Sequence, residues 1–566
     1  MHKLLLTIGL LVFQVLSAQE TPYEKSNKTR TATYDECVGW YQTFCNKYPQ
    51  FKLTTIGQGD IGKSIYACNF IGTEPIENKV KILINNNIHP GEPEGTDASM
   101  LLLRNLAAEP RWRPYLKFLD ITIICQYNVD GTCNRNCCSR ANQNGPEEVG
   151  FRGNAKNLDL NRDFIKIDSR NAESLVKLIA NNNYHILVDN HTSNGADYQY
   201  TLTSFVTRPE KLHQSLRGIA NKLDSAVCAS LANKNWPNVP YINTRGETPE
   251  SGLVAFWESG RYATGFAALH NCIGFTVETH MLKPFPSRVD ATLAYLNQML
   301  MNCVAEKDNI INAYKLSLES RNFPNTIYPN WSLDTNSYRL IDFMGYQAGY
   351  KKSEVTGMPR LYYDRKKPQT IKVKYFNKYV PSDSIKLPNA YIIPQAYSEV
   401  IKRLYLNGVK MTTIQKDTLI YVGAEYINGY KTVPNPYESH YMHYDILTRD
   451  TQMWRMVYAG DAVVSTFQTK AQFIGLALEP SSPDSYFAWN SFDGILMQKE
   501  HFSSYVFEDL AADILRKDAK LQQEFEQAKA QNPELRINAR AQLDFIYKRS
   551  SYYEPTHNLY PITYVR

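Results

Sequence analysis

The sequence predicts an α/β domain with a mostly parallel, mixed sheet and helices on both faces. An all-β, sandwich-like module and C-terminal helices follow it. Three observations carry this. Between residues 80 and 280, short apolar runs alternate with stretches of helical period, which marks strand–helix units rather than hairpins. From about 336 to 480 the runs are short, strand-like and separated by turn residues such as Asn407-Gly and Asn428-Gly. After Glu479-Pro-Ser-Ser-Pro, apolar residues return to helical spacing over Phe507–Ala528 and Ala539–Tyr547. The expected organisation is 1–18 signal peptide, 19–320 α/β domain, 336–480 β-rich module and 481–566 a helical region packed on it.

The first eighteen residues join a basic start, Met1-His2-Lys3, to an apolar core, Leu4 to Leu16, and to the small residues Ser17-Ala18. That is the pattern of a secretory signal peptide, and it falls short of the roughly 20 residues that span a bilayer. The mature chain is expected to be exported, periplasmic or secreted, with no membrane attachment after signal removal. At 566 residues it supports a sizeable core and more than one domain. Its +6 charge comes from Lys and Arg spread among a similar number of acids, so nucleic acid is not an expected partner. All ten cysteines lie between Cys37 and Cys303, which in an exported chain points to disulfides in the first half. Cys133, Cys137 and Cys138 read as disulfide partners rather than metal ligands, because paired zinc spacing is missing.

Val80 to Ile84 is a short β-branched and leucine run that reads as a buried strand. Asn85 to Asn87 and His89-Pro-Gly-Glu92 break it into a loop, and helical spacing resumes from Thr96 to Ala107. His89 and Glu92 thus stand at the edge of an α/β sheet where ligands bind. An imidazole and a carboxylate three residues apart in a turn can reach one cation. Two His and a Glu with an open fourth position form a known catalytic zinc set. Alone the pair is weak: at a Glu frequency of roughly 5–6 %, eleven His give a His-x-x-Glu by chance about half the time. The weight comes from the other strands, Leu119 to Cys125, His185 to Val188 and Cys272 to Val277. Each leads to chemically capable residues expected just past its end: Asn128 to Gly131, His191 and Glu278. His191 can be a third ligand. Glu278 can take a proton from water and pass it on. Between them, Asn161-Arg162 offers an amide and a planar fork suited to a carboxylate. Arg152 is a second fixed cation that could stabilise an oxyanion.

In this order and spacing the set resembles the zinc carboxypeptidase family, the carboxypeptidase A-like metallopeptidases. The matching motifs are His89-Pro-Gly-Glu92, Asn128-Val-Asp-Gly131, Arg152-x-Asn154 leading to Asp159-Leu-Asn161-Arg162, the strand ending in His191, and Phe275-Thr-Val-Glu278. The resemblance covers roughly residues 30–310. It implies one Zn2+ held by His89, Glu92 and His191, with Glu278 as general base and then acid. It further implies Arg152 at the oxyanion and Asn161 with Arg162 on the substrate's terminal carboxylate. Tyr262 is the nearest candidate for the family's substrate-covering tyrosine, although 257–266 does not align cleanly there. Val129 stands where the family often has Pro, a change the following Gly131 should tolerate. The expected function is an exported zinc metallocarboxypeptidase acting on peptides with a free C-terminal carboxylate. The alternatives are a peptidoglycan stem-peptide amidase or carboxypeptidase acting on cell-wall peptides, and a non-catalytic glycan- or peptide-binding protein. His440-Tyr-Met-His443 reads as a surface pair, since no nearby acid or cysteine completes a metal set.

Overall fold

The computed structural model describes residues 19–319 and 323–566. The signal-peptide reading of 1–18 lies outside the described residues. The first half is built on a seven-stranded sheet: β1 (Phe51–Gln58), β2 (Ser64–Ile71), β3 (Val80–Asn85), β4 (Leu119–Ile124), β5 (Ile186–Ser193), β6 (Leu202–Val206) and β7 (Ile273–His280). Their order in space is β1-β2-β4-β3-β5-β7-β6. The four central strands run parallel, whereas β1, β2 and β6 pair antiparallel at the edges. This is the mixed, mostly parallel sheet the sequence predicts.

Parallel strands need crossovers, and helices supply them. The helices of this half are α1 (Tyr34–Lys47), α2 (Glu94–Ala108), α3 (Arg170–Asn182), α4 (Gln214–Ala232), α5 (Ala263–Leu269), α6 (Phe285–Ala305) and α7 (Lys307–Ser317), of which α2 to α5 lie in the connections between strands. Two apolar cores form, one on each side. Val80, Ile82 and Ile84 of β3 pack into one of them, with α2 and α6. Leu83, one position out of step, packs into the other with α3 and α5. The period-two alternation of a strand therefore feeds both faces.

β5 and β7 run further than their apolar stretches. The sequence places His191 and Glu278 just past the strand ends, but both lie inside paired strands, with Glu278 in register with His191. The polar continuation Asp-Asn-His-Thr-Ser stays in the sheet because its side chains find partners there, as when Asp189 accepts from Asn85 Nδ2 at 2.9 Å.

All-β structure and C-terminal helices follow. β8 (Arg339–Lys352) and β9 (Pro359–Phe376) form a long two-stranded ribbon whose base packs on Tyr198, Tyr200 and Leu253. A six-stranded antiparallel sheet comprises β10 (Ala390–Ile393), β11 (Thr412–Thr413), β12 (Thr418–Thr432), β13 (His443–Val457), β14 (Ala462–Ser465) and β15 (Thr563–Val565). Its order is β11-β14-β10-β15-β12-β13, so the last strand of the chain sits near its centre. Helices α8 (Ser504–Lys517), α9 (Ala519–Gln531) and α10 (Ala539–Tyr547) share a small core of Phe507, Leu521, Phe525 and Leu543.

The cysteines depart from the expected disulfide set. One bridge joins the neighbours Cys137 and Cys138. The other eight are thiols, of which Cys37, Cys68, Cys125, Cys272 and Cys303 are buried in the domain as small apolar side chains.

Candidate metal centre and catalytic cleft

His89 and Glu92 follow β3 on a tight turn in which the Glu92 amide donates to His89 O at 2.8 Å. Asn87 sits there at φ 65°, a left-handed conformation that asparagine tolerates. Gly91 is required by a close approach: a Cβ there would lie 2.4 Å from Arg140 Cδ. His191 comes from β5. Ligand atoms of His89, Glu92 and His191 all lie within 4.8 Å of one another, the one such group among the described residues.

The two imidazoles are oriented alike. His89 Nδ1 lies 3.2 Å, and His191 Nδ1 3.0 Å, from the same oxygen, Glu92 Oε2. Each Nε2 faces outward onto a carboxylate, His89 onto Asp159 Oδ1 at 2.9 Å and His191 onto Asp189 Oδ2 at 2.8 Å. A carboxylate on Nε2 fixes the tautomer whose Nδ1 lone pair is free for a metal. His89 Nδ1 is buried and has no hydrogen-bond partner, an orphaned atom that a cation would satisfy. This donor set fits zinc. Burial presses the Glu92 carboxyl upward, but His89 and Arg140 outweigh it and hold it well below the usual range.

Glu278 stands beside His191 on the neighbouring strand, and side chains in register on adjacent parallel strands project to the same face. Burial, opposed by His191 and reinforced by Glu92, pushes its carboxyl up to about 8. Arg152 donates to Asp159 Oδ2 from Nη2 at 2.8 Å and reaches Glu92 Oε1 from Nη1 at 3.3 Å. Burial works against its charge, but Asp159 and Glu92 keep it firmly protonated. Asn161 Oδ1 accepts from the Ala263 amide at 2.9 Å, tying it to the first turn of α5. The Arg162 guanidinium lies 4.3 Å over the Tyr262 ring and donates to Tyr437 Oη at 3.2 Å. All eight predicted site residues therefore line one cleft of about 280 Å³. Tyr262 packs edge-on against Phe256, and Phe256 forms an aromatic wall with Phe205 and Tyr241 at centroid distances of 5.8–6.2 Å.

Several contributors were invisible in the sequence reading. Arg140 donates to Glu92 Oε1 at 2.8 Å and to Thr192 O at 2.8 Å. Asp189 had a signal, since it stands two residues before His191 and so on the same strand face. Glu438, from the second half, accepts the Asp159 amide at 2.8 Å and so buttresses the carboxylate behind His89. His440 and His443 are not the surface pair the sequence suggests: His443 is buried, and each ring has an aspartate partner of its own. His440 is held by Asp168 at 2.7 Å and Asn490 at 2.6 Å, and His443 by Asp493 at 3.0 Å and Thr432 at 2.9 Å. In Asn128-Val-Asp-Gly131, Gly131 serves close packing, since a Cβ there would lie 2.2 Å from Phe151 O and 2.9 Å from Pro90 Cγ. The expected need for turn freedom is not met, because Gly131 lies inside a helical turn.

A sheet edge that gathers two histidines and a glutamate, with a second glutamate beside them, defines a metallopeptidase hydrolase. Residues 37–239 match the zinc carboxypeptidase family model. Over that span the chain is similar to that family, and His89, Glu92 and His191 form a set that could hold a zinc ion. The matched span contains His89, Glu92, Arg152, Asn161, Arg162 and His191 and ends before Tyr262 and Glu278. Carboxypeptidase 2 of Trichophyton equinum is 25% identical over 443 residues, 73% of this chain and 74% of that one. Carboxypeptidase 2 of Trichophyton rubrum is 24% identical over 439 residues, with 73% and 74% covered. Among solved structures, a metallo-carboxypeptidase from Burkholderia cenocepacia aligns at 15% identity and a TM-score of 0.37, covering 49% of this chain and 70% of that one. No helix among the described residues is long and apolar enough to cross a membrane.

Proposed function

We propose that the protein is an exported metallocarboxypeptidase that removes residues from the free C-terminus of peptides. The observation that carries this is the shared orientation of the two imidazoles. Both Nδ1 atoms converge on Glu92, and Glu278 stands in register beside them. Zinc bound by His89, Glu92 and His191 would supply Lewis acidity toward the scissile carbonyl and a more acidic water. Glu278 takes the proton of the attacking water and returns it to the departing amine, work suited to a buried carboxylate in register beside His191. Arg152, anchored on Asp159 and reaching Glu92, keeps further N–H groups at the cleft and with them stabilises the oxyanion. Asn161 and Arg162 hold the terminal carboxylate, and Tyr262 braces the Arg162 guanidinium from below. Export rests on the pattern of residues 1–18.

The test uses two matched peptide pools, one with free and one with amidated C-termini, followed by mass spectrometry with and without a zinc chelator. Chelator-sensitive trimming of the free pool alone is expected. Trimming of neither pool would shift the reading to cell-wall stem peptides. In Glu278→Gln the rate should fall by about 10²–10⁴ while zinc content stays at one per chain. Retention of most activity in that variant would remove Glu278 from its role.

A further inference from the structure

The chain's charge is not evenly placed. Between Arg339 and Phe376 there are nine Lys and Arg and three acids, so the β8–β9 ribbon carries a net +6, equal to the net charge of the entire chain. The remainder of the protein sums to zero. Three of the nine cations are paired: Arg365 with Asp197 at 2.6 Å, Lys372 with Asp342 at 2.7 Å, and Lys367 with Asp364 at 3.9 Å. Among the described residues, Lys351, Lys352, Arg360 and Lys366 form no ion pair, and all four are exposed. Lys351, Lys352 and Arg360 cluster at the outer end of the ribbon, and Lys366 lies in its mid-length bulge. Around them stand Tyr350, 58% exposed, Met358, 66% exposed, and Val355, 94% exposed at the turn.

The root of the ribbon is fixed to the cleft rim. β5 ends at Ser193, and Asn194 lines the cleft. The chain then gives Asp197 to Arg365, bridges Tyr198 to Gly345, and donates the Gln199 amide to Met344 O at 3.0 Å. The Tyr198 ring rests 4.4 Å from that of His280, two residues after Glu278. The ribbon thus starts at the strand ends that carry His191 and Glu278; Lys366 sits at the bulge opposite Tyr346 and Gln347, while Lys351, Lys352 and Arg360 lie about 20 Å further out, at roughly 3.4 Å per residue from Gly345 to Lys351.

We propose that the ribbon is an exosite for acidic polypeptide substrates. It would grip the segment upstream of the scissile bond while the C-terminus occupies the cleft. This rests on the carboxypeptidase reading above and adds a substrate class to it. An extended peptide covers about 3.4 Å per residue, so the favoured acids lie about six or more residues before the terminus. Their attraction to the ribbon is long-ranged at low salt and fades once the Debye length drops to about 3 Å at 1 M. The competing role for these lysines is to guard the open edges of a two-stranded ribbon against pairing with other chains.

The test compares three peptides sharing the same last four residues: the short peptide itself, a long one with glutamates upstream, and a long one with glutamines there. At low salt the acidic long peptide is expected to show a kcat/KM about tenfold above the glutamine version. That advantage should vanish in 1 M NaCl, and in the triple variant Lys351→Gln/Lys352→Gln/Lys366→Gln. Trimming of the short peptide should be the same in both proteins. Equal trimming of the two long peptides at low salt overturns the exosite, as does an advantage that survives the triple variant. Self-association of the variant with unchanged peptide preference assigns the lysines to edge protection and overturns it too. If the short peptide is not trimmed at all, the carboxypeptidase reading fails and the exosite with it. Should the variant not fold, the salt series on the native protein decides alone.

Discussion

Asp189→Asn tests the metal centre at the atom that sets it up. Asp189 is buried, and its Oδ2 receives the His191 Nε2 proton at 2.8 Å while Oδ1 accepts from Asn85 at 2.9 Å. Both oxygens therefore act as acceptors. Asparagine keeps one acceptor and turns the other into a donor. If the amide keeps its oxygen on His191, its NH₂ meets the NH₂ of Asn85, and Asn85 must flip and bury its own NH₂ where its unpartnered Oδ1 now stands. If it flips, it faces Nε2 with a donor, and the imidazole must then carry its proton on Nδ1, the atom aimed at Glu92 and the metal. Either outcome weakens the metal ligand or strains a buried amide. Loss of such a carboxylate partner typically costs 10–100-fold in metal affinity, about 1.4–2.7 kcal/mol. Competition for zinc against a fluorescent chelator should show that loss in Asp189→Asn, and a comparable one in Asp159→Asn at His89. Far-ultraviolet circular dichroism would confirm that the fold persists. Zinc affinity within twofold of the wild type would refute the argument that the outward carboxylates set the tautomers.

Other outcomes follow from the same contacts. Arg288 is fully buried and donates to Glu94 Oε1 at 2.7 Å, to Asn144 O at 2.9 Å and to the carbonyls of Met281, Lys283 and Gly145. Arg288→Met should cost about 3–5 kcal/mol by urea titration, with the Arg288→Met/Glu94→Gln double variant less damaged than the single one; a cost below about 1 kcal/mol would contradict the buried pairing. His440 is pressed toward neutrality by burial, but Asp168 and Asn490 outweigh this and raise its pKa above 6.5. Its contribution, about 1 kcal/mol, is complete below pH 6.5 and declines as pH rises through the raised value, so the stability gap to His440→Gln should narrow upward in pH. A gap that widened instead would deny the charged pair. The wall of Phe205, Tyr241 and Phe256 beside Glu278 should favour large apolar terminal residues over acidic ones by roughly tenfold or more, since burying such a side chain contributes about 1.5–3 kcal/mol. Preferential release of Asp or Glu in the peptide pools would contradict it.

The turn that presents His89 and Glu92 was legible because its causes are local: an apolar strand, three asparagines, a proline and a glycine, then a helix. The same holds for the order of Arg152, Asn161-Arg162, His191 and Glu278, each tied to its own segment. The strand limits were less legible. β5 and β7 continue through polar residues that are stabilised by partners on other strands, and apolar periodicity cannot register those. Arg140 reaches Glu92 across 48 residues and Glu438 reaches Asp159 across 279, contacts set by packing rather than by neighbouring sequence. The charge distribution shows the difference most clearly. Along the chain the basic residues are already concentrated, with nine Lys and Arg between Arg339 and Phe376 and Arg365-Lys366-Lys367 consecutive, and balancing them only against the acids of the entire chain hides this. What only the fold decides is the pairing of β8 with β9, which sets Lys351 opposite Arg360 and holds this basic stretch as a two-strand ribbon rooted at the cleft. The sequence by itself determined which chemical groups exist and which short elements carry them. The tertiary structure decided which groups meet, because strand register and domain packing bring together charges that lie far apart along the chain.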